Sequence, residues 1–470
     1  MPIRRAEIPL SINKEQKVAL PQQIAAQIRQ LINDGALQPG DALPGTRRIA
    51  AQLGIARGSV TTAFDQLTAE GYLYCSPGAP TRVHPDLVAA TSVVSPPAQL
   101  ALPRPKIRIS LKPSTATAQN VRPAAWRAAW RQASGVPERK LEPAGQPELR
   151  EAIAEHIRLS RSMAVASNSV LVTGGSREGL MLIVMALADA YGRRLTIGVE
   201  NPGHPGLRAI VELLGHRLVE CPIDLDGVLI ESLPHDMDML LVTPSYLYPL
   251  GSTMPAARRS ALLRWAQETE TVIVEDDFNA ELRYRLAPEP ALAAQAGSQG
   301  VNVIVLGTFS TLLAPSLSAG YVLAPPLLID PLLDTRAKLG MPVAGVTQRA
   351  IAELLTNGYV RKHTRAMHQR MGRRKAHIER VFARATATPG VEISTMGSGV
   401  DYFLGFADSE RATAFEQLLQ KSGIGVGHAE KLWSAISPEH GFILSFAHLS
   451  DPDFAFVLDV LSTALKATTQ

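Results

Sequence analysis

Apolar strand segments that alternate with helical segments constrain the fold of this 470-residue chain more than any other feature. From about residue 109 onward, the apolar runs are SVLVTGG, RLTIGVE, DMLLVTP, TVIVEDD, VNVIVLG and AGYVLAP. Strands that are apolar throughout are buried on both faces, which is typical of a parallel sheet covered by helices. The pattern predicts an α/β domain with a mainly parallel sheet.

The composition argues against several protein classes. Hydrophobic residues make up 46% of the chain and charged residues 19%, which is ordinary for a globular protein and unlike a disordered or fibrous one. The net charge of +4 is small, so any binding of nucleic acid depends on where the charge lies. Cys75 and Cys221 form no disulfide or metal pattern, and no apolar run approaches the roughly 18 residues of a membrane span. We therefore expect a cytoplasmic protein without a bound metal.

Three helices are predicted within the first 84 residues. Apolar residues at helical spacing predict a first helix over residues 19–34, a short second helix from Thr46 to Leu53 and a third from about Arg57 to Ala69. Gly54 turns the chain between the two short helices, an arrangement typical of a DNA-reading helix-turn-helix. Alternation in 72–74 and 81–83, on either side of a Pro/Gly-rich turn, predicts a two-stranded wing.

These motifs resemble the GntR family of DNA-binding regulators. The segments PQQIAAQIRQLI, LPGTRRIAAQLGIARGSV and AFDQLTAEGYL follow the family pattern in order and spacing, over residues 19–84. The resemblance implies that double-stranded DNA is the partner of a winged helix-turn-helix domain over residues 1–84. Two departures concern details: Ala56 stands where a capping serine is usual, and Ala79-Pro80 replaces the usual Gly-Thr of the wing tip. Proline there limits insertion of the tip into a minor groove.

The resemblance also implies which residues meet DNA. Arg47 and Arg57 begin the second and third helices, where arginine can reach phosphates or guanine edges. Isolated arginines more often lie on a solvated surface, but the motif favours DNA contact here. The predicted DNA-binding residues are Arg47, Arg48, Arg57, Ser59, Thr61, Thr62 and Arg82.

A basic linker is predicted over residues 85–108, which are rich in Pro, Ser, Ala and Val. Between Leu87 and Pro137 the chain has no acidic residue, and its basic residues are Arg104, Lys106, Arg108, Lys112, Arg122, Arg127 and Arg131. A basic tether along the flanking DNA would add salt-dependent affinity, while a simply solvated linker is an equally open interpretation.

A second basic cluster lies on a helix predicted near residues 360–382. Val360, Met367, Met371, Ile378 and Phe382 form its inward face. The basic residues are Arg361, Lys362, Arg365, Arg370, Arg373, Arg374 and Lys375, and we interpret them as a solvated or dimer-facing surface.

The order of motifs from residue 109 resembles fold type I, the aspartate aminotransferase-like fold. Together with the N-terminal match, the chain resembles the MocR regulators, which join a GntR domain to that fold. The resemblance implies an aminotransferase-like domain over residues 109–470, with a large subdomain near 160–335 and a small one near 340–470. It also implies a homodimer, hence paired half-sites on DNA, and a site for pyridoxal phosphate.

Some positions of the family's cofactor site are retained. Gly175-Ser176-Arg177 lies where backbone N–H groups would hold a phosphate, and Asp276 lies where a carboxylate pairs with the pyridine nitrogen. Thr308-Phe309-Ser310 matches the segment whose serine contacts phosphate. The predicted effector-site residues are Gly175, Ser176, Arg177, His204, Tyr248, Asp276, Phe278, Ser310, Thr311 and Ser318.

Five positions depart from the family. Ser-Lys-x-Leu-Ala-Pro-x-Leu-Arg-x-Gly-Tyr appears here as STLLAPSLSAGY, so Thr311 replaces the Schiff-base lysine and Ser318 a phosphate-binding arginine. Phe278 replaces a tyrosine that would bond the cofactor, His204 a stacking ring and Ile443 a carboxylate-binding arginine. No lysine occurs between Lys140 and Lys338. Because threonine forms no imine, we expect no internal aldimine, no transamination, and at most non-covalent binding of pyridoxal phosphate.

Three hypotheses follow. The favoured one is a DNA-binding transcription regulator that senses a small molecule in a degenerate aminotransferase-like domain. The alternative is a pyridoxal-phosphate-dependent aminotransferase with an accessory N-terminal domain, against which Thr311 argues. A third keeps DNA binding but makes the C-terminal domain a dimerisation block without a ligand.

Overall fold

The computed structural model describes residues 8–13, 18–76, 79–87, 107–113, 121–135, 140–281, 290–383, 389–393, 401–434 and 440–468. The chain divides into two compact units, Met1–Arg104 and Pro105–Gln470, called here the N-terminal and C-terminal units. Most of the predicted linker, with Arg104 and Lys106, lies outside the described residues.

The N-terminal unit is a winged helix-turn-helix. Its elements are α1 (Leu20–Asn33), α2 (Thr46–Leu53), α3 (Arg57–Ala69), β1 (Leu73–Tyr74) and β2 (Arg82–Val83). The strands β1 and β2 pair antiparallel and form the wing. The bounds of α2 and α3 agree with the prediction, because both helices begin and end at local signals. Gly54, in the left-handed region at φ +61°, ends α2.

The core of the N-terminal unit contains the apolar faces of its three helices. The fully or nearly buried residues include Ile24, Ile28, Ile32, Ile49, Val60, Phe64 and Leu67. Ile8 and Leu10, which precede α1, complete this core. Their segment is held by glutamine side chains: Gln23 Nε2 donates to the Asn13 carbonyl at 2.9 Å, and Gln52 Nε2 to the Ile8 carbonyl at 3.2 Å.

The C-terminal unit alternates strands and helices. In chain order its elements are β3 (Ile109–Ser110), α4 (Pro123–Ala133), α5 (Pro147–Arg161), β4 (Val170–Thr173), α6 (Ser176–Tyr191), β5 (Thr196–Asn201), α7 (Pro205–Leu213), β6 (Arg217–Asp224), β7 (Gly227–Val228), β8 (Met239–Val242), α8 (Ala256–Thr269), β9 (Val272–Asp276), α9 (Leu292–Ala296), β10 (Val303–Thr308), β11 (Gly320–Leu323), α10 (Pro326–Leu339), α11 (Gly345–Thr356), α12 (Tyr359–Ala383), β12 (Val391–Ile393), β13 (Asp401–Phe406), α13 (Ser409–Lys421), β14 (Ile424–Gly425), β15 (Gly427–His428), β16 (His440–Ser445) and α14 (Asp451–Thr468).

An eight-stranded sheet organises the large part of this unit, in the order β4-β11-β10-β9-β8-β5-β6-β7. The neighbours from β10 through β6 pair parallel, whereas β11 runs antiparallel to both β10 and β4. Every residue of β4, β8, β9 and β11 is buried, as expected for strands covered on both faces. The predicted α/β fold with a mainly parallel sheet is confirmed. Among the described residues, every helix is too short or too polar to cross a membrane.

A four-stranded antiparallel sheet, ordered β12-β13-β16-β15, forms the small part of the unit. The long helix α12 buries Val360, Met367, Met371, Ile378 and Phe382, the face that the sequence predicts.

Arg374 contradicts the interpretation of the basic cluster on α12. Its residue exposure is only 4%, so it is neither solvated nor part of an exposed surface of the unit. Its guanidinium donates to the carbonyls of Phe446 and Leu449 at 3.0 and 2.9 Å and pairs with Asp451 at 2.6 Å. The buried charge is stabilised because each of these contacts satisfies a donor, which a sequence pattern alone does not reveal.

Candidate functional site

The N-terminal unit exposes a basic surface on two helix ends. Arg47, Arg48 and Arg57 are exposed, and Arg57 Nε donates to Thr46 Oγ1 at 3.2 Å, which links the start of α3 to the start of α2. The capping positions, Gly45 and Ala56, provide no side-chain hydrogen bond. The backbone N–H groups of Arg48 and Ser59 donate to the Gly45 and Ala56 carbonyls at 2.9 and 3.1 Å. The N–H groups at the very start of each helix have no side-chain cap and lie beside exposed guanidinium groups, an arrangement suited to an anion.

Three other predicted DNA-binding residues make hydrogen bonds within the unit. Thr61 Oγ1 donates to the Arg57 carbonyl at 3.1 Å and Thr62 Oγ1 to the Gly58 carbonyl at 3.0 Å. Arg82 is half-buried and donates to the Gly40 carbonyl at 2.8 Å, so it also supports the wing. Ser59 is half-buried on α3. The threonine oxygens retain lone pairs for a partner, whereas Arg82 has part of its donor capacity occupied.

In the C-terminal unit, the predicted effector residues meet at one edge of the large sheet. The carboxyl ends of β5, β8, β9 and β10 lie at that edge, because these strands are parallel neighbours. We call this edge the strand-end site. It comprises the chain segments that follow β4, β5, β8, β9 and β10, and it is where parallel α/β sheets usually bind ligands.

A glycine turn opens the strand-end site. Gly175 has φ of +96° and immediately precedes α6, so backbone N–H groups at that helix start point out of the turn. A Cβ atom on Gly320 would lie 3.0 Å from the Gly175 Cα, so β11 begins directly against the turn. Ser318, two residues earlier, is exposed at φ +44°. Its short side chain brings no positive charge to the position.

Arg177, in the first turn of α6, places a positive charge beside the strand-end site. Its exposed guanidinium lies against α7, where a Cβ on Gly206 would be 2.5 Å from Arg177 Nη2. Burial and the charge of Arg177 lower the pKa of the neighbouring His204 to about 4. The His204 ring is therefore neutral near pH 7, and its Nδ1 accepts the Gly206 N–H at 3.1 Å.

Asp276 ends β9 as a buried acid, with 2% exposure. Burial, followed by the neighbouring Asp277 charge, raises its pKa to about 8. Its Oδ1 has no hydrogen-bond partner among the described residues. A buried carboxyl with an unsatisfied oxygen is suited to a ligand that offers an N–H group or a positive charge.

Four aromatic rings cluster beyond the strand ends, and one of them, Phe278, lies two residues after Asp276. His204 lies 5.6 Å from Tyr248 and 6.4 Å from Phe278, measured between ring centroids. Tyr246, which the sequence did not single out, lies 6.3 Å from Phe278 and 6.4 Å from Tyr248. The structure therefore brings three of the predicted residues together, with an additional tyrosine.

Two further buried groups were missed by the sequence. Asp401 is a buried acid near Tyr246, and burial raises the pKa of its carboxyl to about 6. Asn279 is 4% exposed in the left-handed region at φ +56°, and neither end of its amide has a partner among the described residues. Tyr246 lies two residues before Tyr248 in PSYLYP, so the sequence around Tyr248 could have indicated it. Nothing in the local sequence indicates that Asp401, in the small sheet, lies near this site.

The end of β10 and the segment after it contain three hydroxyl side chains, and the last of them, Thr311, stands where the family has its Schiff-base lysine. Thr308 Oγ1 donates to Ser310 Oγ at 2.9 Å and accepts the Ser310 N–H at 3.1 Å. Thr311 follows, half-buried, at the start of a short turn. Within the described part of the chain, His, Cys, Asp and Glu side chains form no group suited to a metal ion.

Comparison with protein families gives two matches that together span most of the chain. The model of "Bacterial regulatory proteins, gntR family" matches residues 20–83, and that of "Aminotransferase class I and II" matches residues 112–453.

Two relatives match along nearly the whole chain. The chain is 35% identical to the HTH-type pyridoxine biosynthesis transcriptional regulator PdxR of Corynebacterium glutamicum, over 98% of this chain and 99% of that protein. It is 29% identical to the probable rhizopine catabolism regulatory protein MocR of Rhizobium meliloti, over 97% and 96%. Among solved structures, the α-aminoadipate aminotransferase LysN of Thermus thermophilus superposes with a TM-score of 0.67 at 22% identity, over 77% of this chain and 93% of that one. The last likeness concerns the fold alone.

Proposed function

Since the chain belongs to the MocR subfamily of GntR-type transcription regulators, we propose that it acts as a homodimer that binds paired DNA half-sites and responds to a small molecule in its C-terminal unit. That it is a DNA-binding transcription regulator follows from the family. The dimer, the half-sites and the effector are proposals, and so is its action in the cytoplasm, where a bacterial regulator meets its operator.

The DNA-binding surface proposed is the face formed by the starts of α2 and α3. Arg47, Arg48 and Arg57 are exposed there beside helix N-termini that lack capping side chains. Phosphate oxygens would satisfy those N–H groups, and arginine offers bidentate contacts to guanine. This arrangement supports α3 as the recognition helix.

The observation that carries effector binding is Asp276. A buried carboxyl with an unpartnered oxygen, next to aromatic rings, is costly unless a ligand satisfies it. A planar heterocycle with a protonated ring nitrogen fits this environment. The turn at Gly175, with Arg177 nearby, would receive a phosphate on the same ligand.

Pyridoxal phosphate therefore fits the non-covalent part of the site but lacks an anchor. Its ring nitrogen and phosphate find matching groups in Asp276 and the Gly175 turn, while its aldehyde has no amine at Thr311. When bound in an enzyme it supplies an electron-withdrawing ring, and transamination also needs a lysine to move protons. We propose that the unit binds such a ligand reversibly and does not catalyse transamination. Because the similar PdxR is named for pyridoxine biosynthesis, vitamers of that group are the first compounds to test.

The decisive experiment is a titration of the full chain with pyridoxal phosphate, followed by thermal unfolding, borohydride reduction and peptide mass mapping. We expect saturable stabilisation and no stoichiometric adduct on any one lysine. The Thr311→Lys variant is the matched positive control, because it restores an amine at the family position and should give an adduct at residue 311.

Each contrary result has a distinct meaning. A stoichiometric adduct on a native lysine would overturn the non-covalent proposal. No stabilisation by any vitamer, with operator binding intact, would instead favour a C-terminal unit that only dimerises.

A further inference from the structure

A second concave site lies away from the strand-end site, where α4 begins against α12. It is a cavity of about 180 Å³ lined by Arg122, Tyr359, Lys362, His363 and Arg370, with two apolar side chains of α12. Its lining contains three cationic side chains and no carboxylate. A small cavity with this one-sided charge is suited to an anion.

The cavity lies at the N-terminus of an 11-residue helix. Arg122 is the capping residue of α4, makes no side-chain cap, and is followed by Pro123. The backbone N–H of Arg122 donates to the Tyr359 hydroxyl at 2.6 Å, which fixes the helix start against α12. The first turn of α4 contains no acidic residue. The positive end of the helix dipole is therefore not neutralised by the helix itself.

His363 provides an independent indication of a ligand. The residue is only 7% exposed, lines the cavity, and its Nε2 has no hydrogen-bond partner among the described residues. Its ring stacks on Tyr359 at 5.8 Å with an interplanar angle of 17°, so it is held in one orientation. Burial, then the charges of Arg370 and Arg122, lower its pKa to about 4. A buried neutral imidazole with the proton on its unsatisfied Nε2 can donate a hydrogen bond to an anion.

The geometry points to a binding site for a small phosphate-bearing anion, formed by the start of α4 together with Arg122, Lys362, His363 and Arg370. A dianionic phosphate group, free or in a small monoester, is compact enough for the cavity and matches several cations at once. The site shares no residue with the Gly175 turn. An anion bound here would therefore be a second ligand of the C-terminal unit, separate from one in the strand-end site.

The test is calorimetric titration of the full chain with inorganic phosphate and with glycerol phosphate, at ionic strength held constant with chloride. Lys362→Gln and Arg122→Gln, both exposed positions, should each weaken binding about tenfold, through loss of a charged hydrogen bond. Arg127→Gln, on the same helix but outside the lining, is the matched control and should leave affinity unchanged. Arg177→Gln should also leave this binding event in place, because it changes only the strand-end site.

Equal binding of both probes would assign the site to phosphate itself, and tighter binding of the monoester would assign it to a phosphorylated metabolite. The proposal is overturned if phosphate binds no more tightly than chloride, or if Arg177→Gln abolishes the binding that Lys362→Gln and Arg122→Gln retain. Lys362→Glu, which reverses the charge, serves as a second variant should either glutamine substitution perturb folding.

Discussion

In the N-terminal unit, the cations proposed to contact DNA are exposed arginines on helix ends, whereas in the C-terminal unit Asp276 and Asp401 are buried acids with raised pKa. The exposed arginines cost little to maintain, because water solvates them when DNA is absent. Asp276 and Asp401 lie in a dry environment that penalises their charged forms. Under the proposed function, the first unit is ready to bind DNA as folded, while the second would gain stability when the proposed ligand satisfies its buried acids.

The largest expected effect tests whether the two units are independent. Phe64 is 4% exposed in the core of the N-terminal unit, and Phe64→Ala should cost about 3–5 kcal/mol there. Operator binding should disappear, while stabilisation by pyridoxal phosphate persists in the same preparation. Val18→Ala, at a position 48% exposed in that unit, is the matched control. Loss of ligand response together with DNA binding would contradict independence.

The next effect concerns the buried acid. Asp276→Asn removes the carboxyl that we propose ionises when it pairs with the protonated ring nitrogen of a ligand, and should weaken pyridoxal phosphate binding by about 1.5–3 kcal/mol. Titration calorimetry measures this directly. Glu212→Gln, on an exposed part of α7, removes the same charge elsewhere and should have no effect. Unchanged affinity in Asp276→Asn would place the ligand elsewhere in the unit.

The stability of the Asp276→Asn variant relative to the native chain should depend on pH. The folded-state pKa of Asp276, about 8, lies above its ordinary value of 3.8, so the folded protein binds more protons than the unfolded one between those values. Its contribution to stability is complete below about pH 4 and is lost as pH rises toward 8. The melting temperature of Asp276→Asn relative to the native chain should therefore rise across that window, on the order of a few degrees. A difference independent of pH would contradict the raised pKa.

A comparable effect is expected at the DNA-binding surface. Arg57→Ala should weaken operator binding by about 1–3 kcal/mol, the usual value of a guanine or phosphate contact. Arg57→Lys keeps the charge but loses the bidentate geometry, which separates base recognition from phosphate attraction. Arg264→Ala, exposed on α8, controls for net charge. Unchanged affinity in Arg57→Ala would mean that α3 is not the recognition helix.

The smallest effect concerns the linker. If the linker lies along DNA, neutralising Arg104, Lys106 and Arg108 should reduce the salt dependence of operator binding by about 1 to 3 units of slope. Neutralising Arg264, Lys421 and Lys431, which are exposed in the C-terminal unit, provides the control. An unaltered slope would support the alternative of a solvated linker.

The sequence predicted what depends on local patterns. The bounds of α2 and α3, the wing and the buried face of α12 each follow from periodicity and turn residues close in the chain. The candidate effector site was predicted from the family resemblance in motif order, and the structure brings Tyr248, Phe278 and His204 together. Whether these residues hold an effector stays a prediction.

What the sequence did not predict depends on distant contacts. In the sequence, Arg374 is one member of a basic cluster. In the structure its guanidinium is enclosed by carbonyls near the start of α14 and by the Phe454 ring, which lies 4.5 Å away. Asp401 lies near Tyr246, although it belongs to the small sheet and is far from Tyr246 along the chain. Ile8 and Leu10 are too few to form a period, yet both are buried.

The order of the elements along the chain has a consequence for synthesis. The core of the N-terminal unit is built from residues 8–83, so it can form as soon as that short stretch has left the ribosome. In the C-terminal unit, β3 pairs with β14 across roughly 300 residues, and β4 lies beside β11, which is made much later. A nascent chain would therefore have a folded DNA-binding domain well before its aminotransferase-like unit is complete.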